Sequence, residues 1–235
     1  MVNKKTKDKL FTVKYSQKLD LDNYINRIWK HSWVDYGDKN KEYFYRRAPK
    51  EFVDNLMDAP NKKAAKKVVL QYWKETLHPS FERDNEFLCK WFEMFLNGEK
   101  DRVISRLEKV YKNPFPFDKI TVYLTTCFFN PYNYDKRYFM ISRTDNFFGI
   151  FTATKHELNH FMFYYYFQDY LNSKGATLEQ TEYLKEALAI LTSGRKSENV
   201  GRNSQILRIE DYVKENRDLS VKEIVDKVIE KKFFI

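Results

Sequence analysis

The segment Asn113-Pro114-Phe115-Pro116 divides the chain. Two prolines so close together cannot continue a helix, because each lacks the N–H that an interior turn donates and its ring strikes the preceding carbonyl. Before this break apolar residues recur at helical spacing; after it they become β-branched and aromatic, the residues that favour strands. That change of period predicts an α+β fold, mainly helical with a small sheet. The chain divides into a mainly helical region 1–112 and a region 113–235, also readable as one continuous domain.

In the first region a short strand is expected over Lys9–Tyr15 and a helix over Leu21–Asp35. Pro49 and Pro60 each suit the start of a new helix. Val68, Val69, Tyr72 and Trp73 lie on one amphipathic segment, and Phe87, Leu88, Trp91, Phe92 and Phe95 on a second that should end at Asn97-Gly98. A third runs from Arg102 to Tyr111. Past the prolines, Ile120–Thr126 and Arg137–Arg143 read as strands around the turn-forming stretch Asn130–Asp135, predicting an antiparallel hairpin over 120–143. Helices are then expected over 150–171, stopped by Asn172-Ser173-Lys174-Gly175, and over 178–192, before Gly194. A last helix is announced by the capping-box pattern Ser220-Val221-Lys222-Glu223.

With 235 residues, 43% hydrophobic and 17% aromatic, the chain can bury a sizeable core. Its longest strongly apolar run, Phe161–Phe167, falls far short of the roughly 20 residues of a membrane helix. The lysine-rich N-terminus lacks the apolar run and cleavage site of a signal peptide, which predicts a cytoplasmic protein. Cys89 and Cys127 match no metal-ligand spacing and are expected to be buried, reduced thiols. The net charge of +9 invites comparison with nucleic-acid binders, but the lysines are scattered and no such motif accompanies them. Nucleic acid is therefore not an expected partner, and oligomeric state has no signature.

Within the long helix stands His156-Glu157-Leu158-Asn159-His160, which takes two of the chain's four histidines. On a helix, positions i and i+4 project from one face with Cβ atoms about 6 Å apart, so two imidazoles can hold one metal ion without any loop to assemble them. Zinc takes nitrogen ligands at about 2.0 to 2.1 Å, and a catalytic zinc keeps one position open for water. Glu157, beside the first ligand, is placed to take that water's proton as general base.

These residues resemble the zincin metallopeptidases, over roughly residues 115–195. The resemblance implies a zinc-dependent peptidase whose HExxH helix packs on a small, mostly antiparallel sheet. It further implies an edge strand that aligns a peptide or protein substrate, and a third ligand from a later helix. The metzincin extension HExxHxxGxxH is absent, since Phe163 stands at the glycine and Tyr166 at the third histidine. In the gluzincin branch a later glutamate completes the site. Glu186 is the expected ligand, because it borders the apolar run Ala187–Leu191, where a carboxylate is costly without a cation, and because Ala187 and Ala189 allow close helix approach. Glu182 and Glu179 remain alternatives.

Thermolysin-like gluzincins carry an aspartate four residues after that glutamate, whereas this chain has Ile190. Asp169 or Asn159 is then the candidate to orient a histidine. The aromatic run 161–167 is expected in the core, with Phe163 and Phe167 also on the metal face, where they would line a pocket. Two other readings stay open: a zincin-fold protein that regulates or binds without cleaving, and a basic helical interaction protein in which the motif is accidental.

Overall fold

The computed structural model describes residues 9–30, 39–77, 80–193 and 204–230. The charged stretch 1–8, the last part of the helix expected to reach Asp35, and Gly194 lie outside the described residues. The order is β1 (Phe11–Tyr15), α1 (Gln17–Tyr24), a π-helical turn (Ile25–Trp29), α2 (Lys39–Tyr45), α3 (Lys50–Met57), α4 (Lys62–Thr76) and α5 (Phe81–Tyr111). There follow β2 (Ile120–Thr125), β3 (Tyr132–Asn133), β4 (Tyr138–Ser142), α6 (Phe147–Ser173), α7 (Leu178–Leu188), α8 (Ile190–Ser193), α9 (Ser204–Glu215) and α10 (Val221–Glu230). The fold is mainly helical with one small sheet, the α+β class expected.

Both early prolines sit at helix starts. Pro49 caps α3, and Pro60 precedes Asn61, whose side chain accepts from the Ala64 N–H at the head of α4. At the head of α10, Ser220 and Glu223 exchange hydrogen bonds in the expected box. The predicted stop at Asn97-Gly98 does not occur. Gly98 keeps a negative φ and α5 runs through it, because Asn97 turns its side chain outward to β1 instead of capping. Gly175 does end α6: at φ +74 it permits the paired bonds Gly175 N–H to Asn172 C=O and Ala176 N–H to Leu171 C=O.

The sheet corrects the predicted antiparallel hairpin over 120–143. Its order is β1-β2-β4-β3, with β1 parallel to β2, β2 parallel to β4, and only β3 antiparallel to β4. Residues 126–137 span about the dozen positions that a parallel crossover needs. They carry the chain past β4's place, lay down β3 at the edge, and return through a turn in which Arg137 takes φ 50. The turn signals at Asn130-Pro131 belong to the entry of that crossover.

Each edge of the sheet has a different fate. Along β1, α5 supplies the missing partners: Asn97 Oδ1 accepts from Phe11 N–H (3.1 Å), Asn97 Nδ2 donates to Phe11 C=O (2.9 Å), and Glu93 Oε2 accepts from Val13 N–H (3.0 Å). That edge is closed to further pairing. At the other edge, Met140 N–H donates to Pro131 C=O. By the alternation of an antiparallel pair, Tyr132 therefore turns its own N–H and C=O away from the sheet.

Two hydrophobic cores result, and they do not part at 112/113. The larger joins β1, α5, the sheet and α6 to α10; the smaller gathers Tyr24 to Trp73 with Cys127. Buried Asp20 ties them together. Its carboxylate accepts from the hydroxyls of Thr125 (2.5 Å), Thr126 and Tyr15 and from Thr126 N–H, while Asn23 Nδ2 donates to Thr125 Oγ1 and Phe129 C=O. Cys127 is buried, Cys89 is half-buried, and both are free thiols. Among the described residues no helix is long and apolar enough to cross a membrane.

Replacing Asn97 by Ala removes both bonds to the backbone of Phe11, and the cost is expected to be about 2 kcal/mol or more. Urea unfolding with unchanged slope measures it, and size-exclusion chromatography should show concentration-dependent association through the bared β1 edge.

Candidate metal centre

The middle of α6, from Ile150 to Phe163, is buried on nearly every side: Ile150, Leu158, Phe161, Met162 and Phe163 are fully enclosed. Phe161 meets Phe117, Tyr132, Tyr134 and Phe139, pinning the helix to the sheet. Phe161, Met162, Phe163 and Phe167 lie in the core, with Phe163 and Phe167 stacked on each other (5.9 Å) and so not lining a pocket, whereas Tyr165 of the same run is exposed and Tyr164 and Tyr166 are half-buried. The polar faces of α6 and α7 meet where this packing leaves room.

There His156 Nε2 and His160 Nε2 lie 3.0 Å apart. The Glu186 carboxylate straddles them, with Oε2 at 3.5 Å from His156 Nε2 and Oε1 at 3.5 Å from His160 Nε2. Among the described residues this is the one group whose donor atoms all fall within 4.8 Å of one another. A tetrahedral ion with zinc bonds of 2.0 to 2.1 Å has donor edges of roughly 3.3 Å, so these separations suit one. Two nitrogens and a carboxylate are also the donor types zinc accepts. Fully buried Ala187 and Ala189 bring α7 this close to α6. Glu182 and Glu179, the alternative ligands, are engaged elsewhere: Glu182 with Lys185 and Tyr164, Glu179 with Tyr183.

Glu157 is buried, and its Oε2 has no hydrogen-bond partner. Burial and the Glu186 charge push its carboxyl up to about 7, against the opposing pull of His156, Lys185 and Arg27. A dication on the neighbouring histidines would add to that pull. Burial disfavours the His156 imidazolium, but the Glu186 hydrogen bond and the Glu157 charge outweigh it and raise its pKa. Glu186, although half-buried, is held well below the usual carboxylate range by His160, Lys185 and His156.

Neither residue proposed to orient a histidine does so. Asp169 is exposed, two turns beyond His160. Asn159 turns to the core, where its side-chain oxygen and its backbone carbonyl both accept from Tyr111 Oη (3.1 Å each). Four other residues surround the centre. Lys185 is wholly buried; it donates to Glu182 Oε2 (2.7 Å) and to Tyr132 Oη (2.5 Å) and pairs with Glu186 Oε1 (3.3 Å). Tyr132 packs its ring 5.0 Å from that of His160, and its hydroxyl meets Tyr164 Oη, which in turn donates to Glu182. Arg27, on the π-helical turn, stands in the fields of Glu157, Tyr132 and Glu186. Lys185 had a visible signal, since it lies among Leu184, Ala187 and Leu188 with Glu182 three residues earlier. Tyr164 had one too, at i+4 from His160 on the same helix face; Tyr132 and Arg27 had none, being set there by tertiary packing.

Equilibrium dialysis with metal analysis should find one zinc per chain. Substituting His156, His160 or Glu186 by Ala should weaken zinc more than the roughly 10- to 100-fold typical of an outer-shell change, whereas Glu179→Ala should leave it unaltered. Comparisons with protein-family models, curated proteins and solved structures find no match to this chain.

Proposed function

We propose that the chain is a zinc-dependent metallopeptidase of gluzincin-like zincin type. The observation that carries this reading is the convergence of His156 Nε2, His160 Nε2 and the Glu186 carboxylate beside buried Glu157. A zinc ion held there supplies Lewis acidity, polarising the scissile carbonyl and making water acidic.

The chain's own residues do the rest. Glu157 takes the proton of the attacking water on a carboxylate oxygen and passes it to the departing amine, a role for which a pKa near the working pH is best. Burial pushes the carboxyl up, and a dication on the histidines would draw it back down. The outward N–H and C=O of Tyr132 on β3 offer an extended peptide a strand to pair with, beside the centre and at the edge that α5 does not cover. Such pairing would align any peptide backbone, so the proposed substrate is a peptide or protein, with side-chain preference set around Tyr132, Tyr164 and Arg27. Arg27 brings positive charge toward the place where an oxyanion would form.

A second reading, a zinc-holding protein that binds without cleaving, draws on the commitment of both tyrosine hydroxyls near His160 to Lys185 and Glu182. This leaves neither free to meet an oxyanion. The test that separates the two readings is digestion of a denatured-protein mixture, read as new N-termini by mass spectrometry. Zinc-loaded protein is expected to cut, while Glu157→Gln should retain zinc and lose about 10²- to 10⁴-fold in rate, the usual worth of a general base. Zinc-loaded wild type that leaves the mixture intact overturns the peptidase reading.

A further inference from the structure

A glutamate ligand at the end of a flexible side chain must be held, and the position four residues on, where thermolysin-like gluzincins place their histidine-orienting aspartate, is Ile190, buried in the core. We propose that Lys185 is the positioning residue for Glu186, fixed in turn by a closed ring with Tyr132, Tyr164 and Glu182; the proposal rests on the metal-site reading above.

Lys185 Nζ has three polar neighbours: it donates hydrogen bonds to Tyr132 Oη at 2.5 Å and Glu182 Oε2 at 2.7 Å, and it forms an ion pair with Glu186 Oε1 at 3.3 Å. Tyr164 spends its proton on Glu182 Oε1, so Tyr132, which accepts from Lys185, is the donor to Tyr164 (3.1 Å). Two donor paths therefore leave Lys185, one straight to Glu182 and one through Tyr132 and Tyr164, and both end on the Glu182 carboxylate, which closes the ring. Nothing in it can rotate alone.

Its bearing on the metal ligand is direct. Glu186 Oε1 is shared between Lys185 and the His160 side, which leaves Oε2 for the His156 side. The carboxylate plane is fixed across the two histidines in this way. Adjacent helix residues point about 100° apart, so the Lys185 stem must fold across to reach its neighbour, and the ring is what holds it there. Lys185 is held between two carboxylates, Glu182 and Glu186, and its charge helps to keep Glu186 ionised. Tyr132 completes the arrangement by packing on the His160 ring.

The test compares zinc affinity, measured by chelator competition, with the visible spectrum of the Co²⁺-substituted protein and with urea unfolding. Lys185→Met is expected to weaken zinc 10- to 100-fold and to change the Co²⁺ spectrum as the carboxylate swings. The double variant Lys185→Met/Glu182→Gln removes the charge imbalance; it should regain stability lost in Lys185→Met without regaining zinc affinity. Tyr132→Phe alters no charge and should weaken zinc about 10-fold by opening the ring, and it serves if Lys185→Met does not fold. Unchanged affinity and spectrum in Lys185→Met or Tyr132→Phe overturns the proposal. So does recovery of wild-type affinity in the double variant, which would reduce Lys185 to a counter-ion of Glu182. Wild type that takes no zinc ends the metal-site reading too, whereas zinc binding with an unaffected Lys185→Met ends this proposal alone.

Discussion

Charges withdrawn from water between α6 and α7 hold this molecule to one arrangement. A buried ion without a partner costs several kcal/mol, and Lys185, Glu157 and the Glu186 side chain are all taken largely out of solvent. Lys185 sits wholly inside because two carboxylates and a phenol oxygen surround it. Glu186 stays ionised because Lys185 and the two histidines face it. Lys185 and Glu186 are tolerable only while each faces the other, whereas the Glu186 charge works against ionised Glu157, which Lys185 and Arg27 favour. The helix register, the close approach at Ala187 and Ala189, and the position of β3 are thus set together.

The sheet makes the same point through its edges. Strand β1 is taken out of circulation by Asn97 and Glu93 of α5, which satisfy its backbone as another strand would. The insertion of β4 between β2 and β3 then places the short antiparallel strand at the far edge, against α6 rather than in the middle of the sheet. Three parallel strands and one antiparallel edge strand are what allow Tyr132 to touch His160.

What the sequence discloses and what it hides follow from the range of each interaction. The histidine pair, the burial of the phenylalanines in the aromatic run and the bordering carboxylate of Glu186 are local properties, read from helical spacing and from the polarity of nearby residues; the exposure of Tyr165 in the same run is not. Strand pairing is not local: Ile120–Thr125 and Tyr138–Ser142 look the same whether parallel or antiparallel, and the turn signals at Asn130-Pro131 fit either. Asn97-Gly98 misleads because a capping residue and a residue bonding to a distant strand are the same residue type. Asn159 misleads in like manner, one position from His160 yet turned to Tyr111. Arg27 and Tyr132 come from opposite sides of the proline break, and no periodicity in either region points to the other.

The N-terminal half acquires a physical role from this. Cys127, Phe128 and Phe129, which begin the crossover to β3, pack in the smaller core with Tyr24, Phe44 and Trp73 rather than with α6. Asp20 and Asn23 bind the backbone and hydroxyls at the end of β2 and the Phe129 carbonyl. The path by which the chain reaches Tyr132 is therefore anchored from α1, and Arg27, one helical turn beyond Asn23, is delivered by the same helix toward Glu157. Loosening the smaller core would move the edge strand and the arginine together while leaving His156, Glu157 and His160 on their helix. The ligand pair is a property of α6 alone. The surroundings that would let it act on an extended chain are a property of both halves.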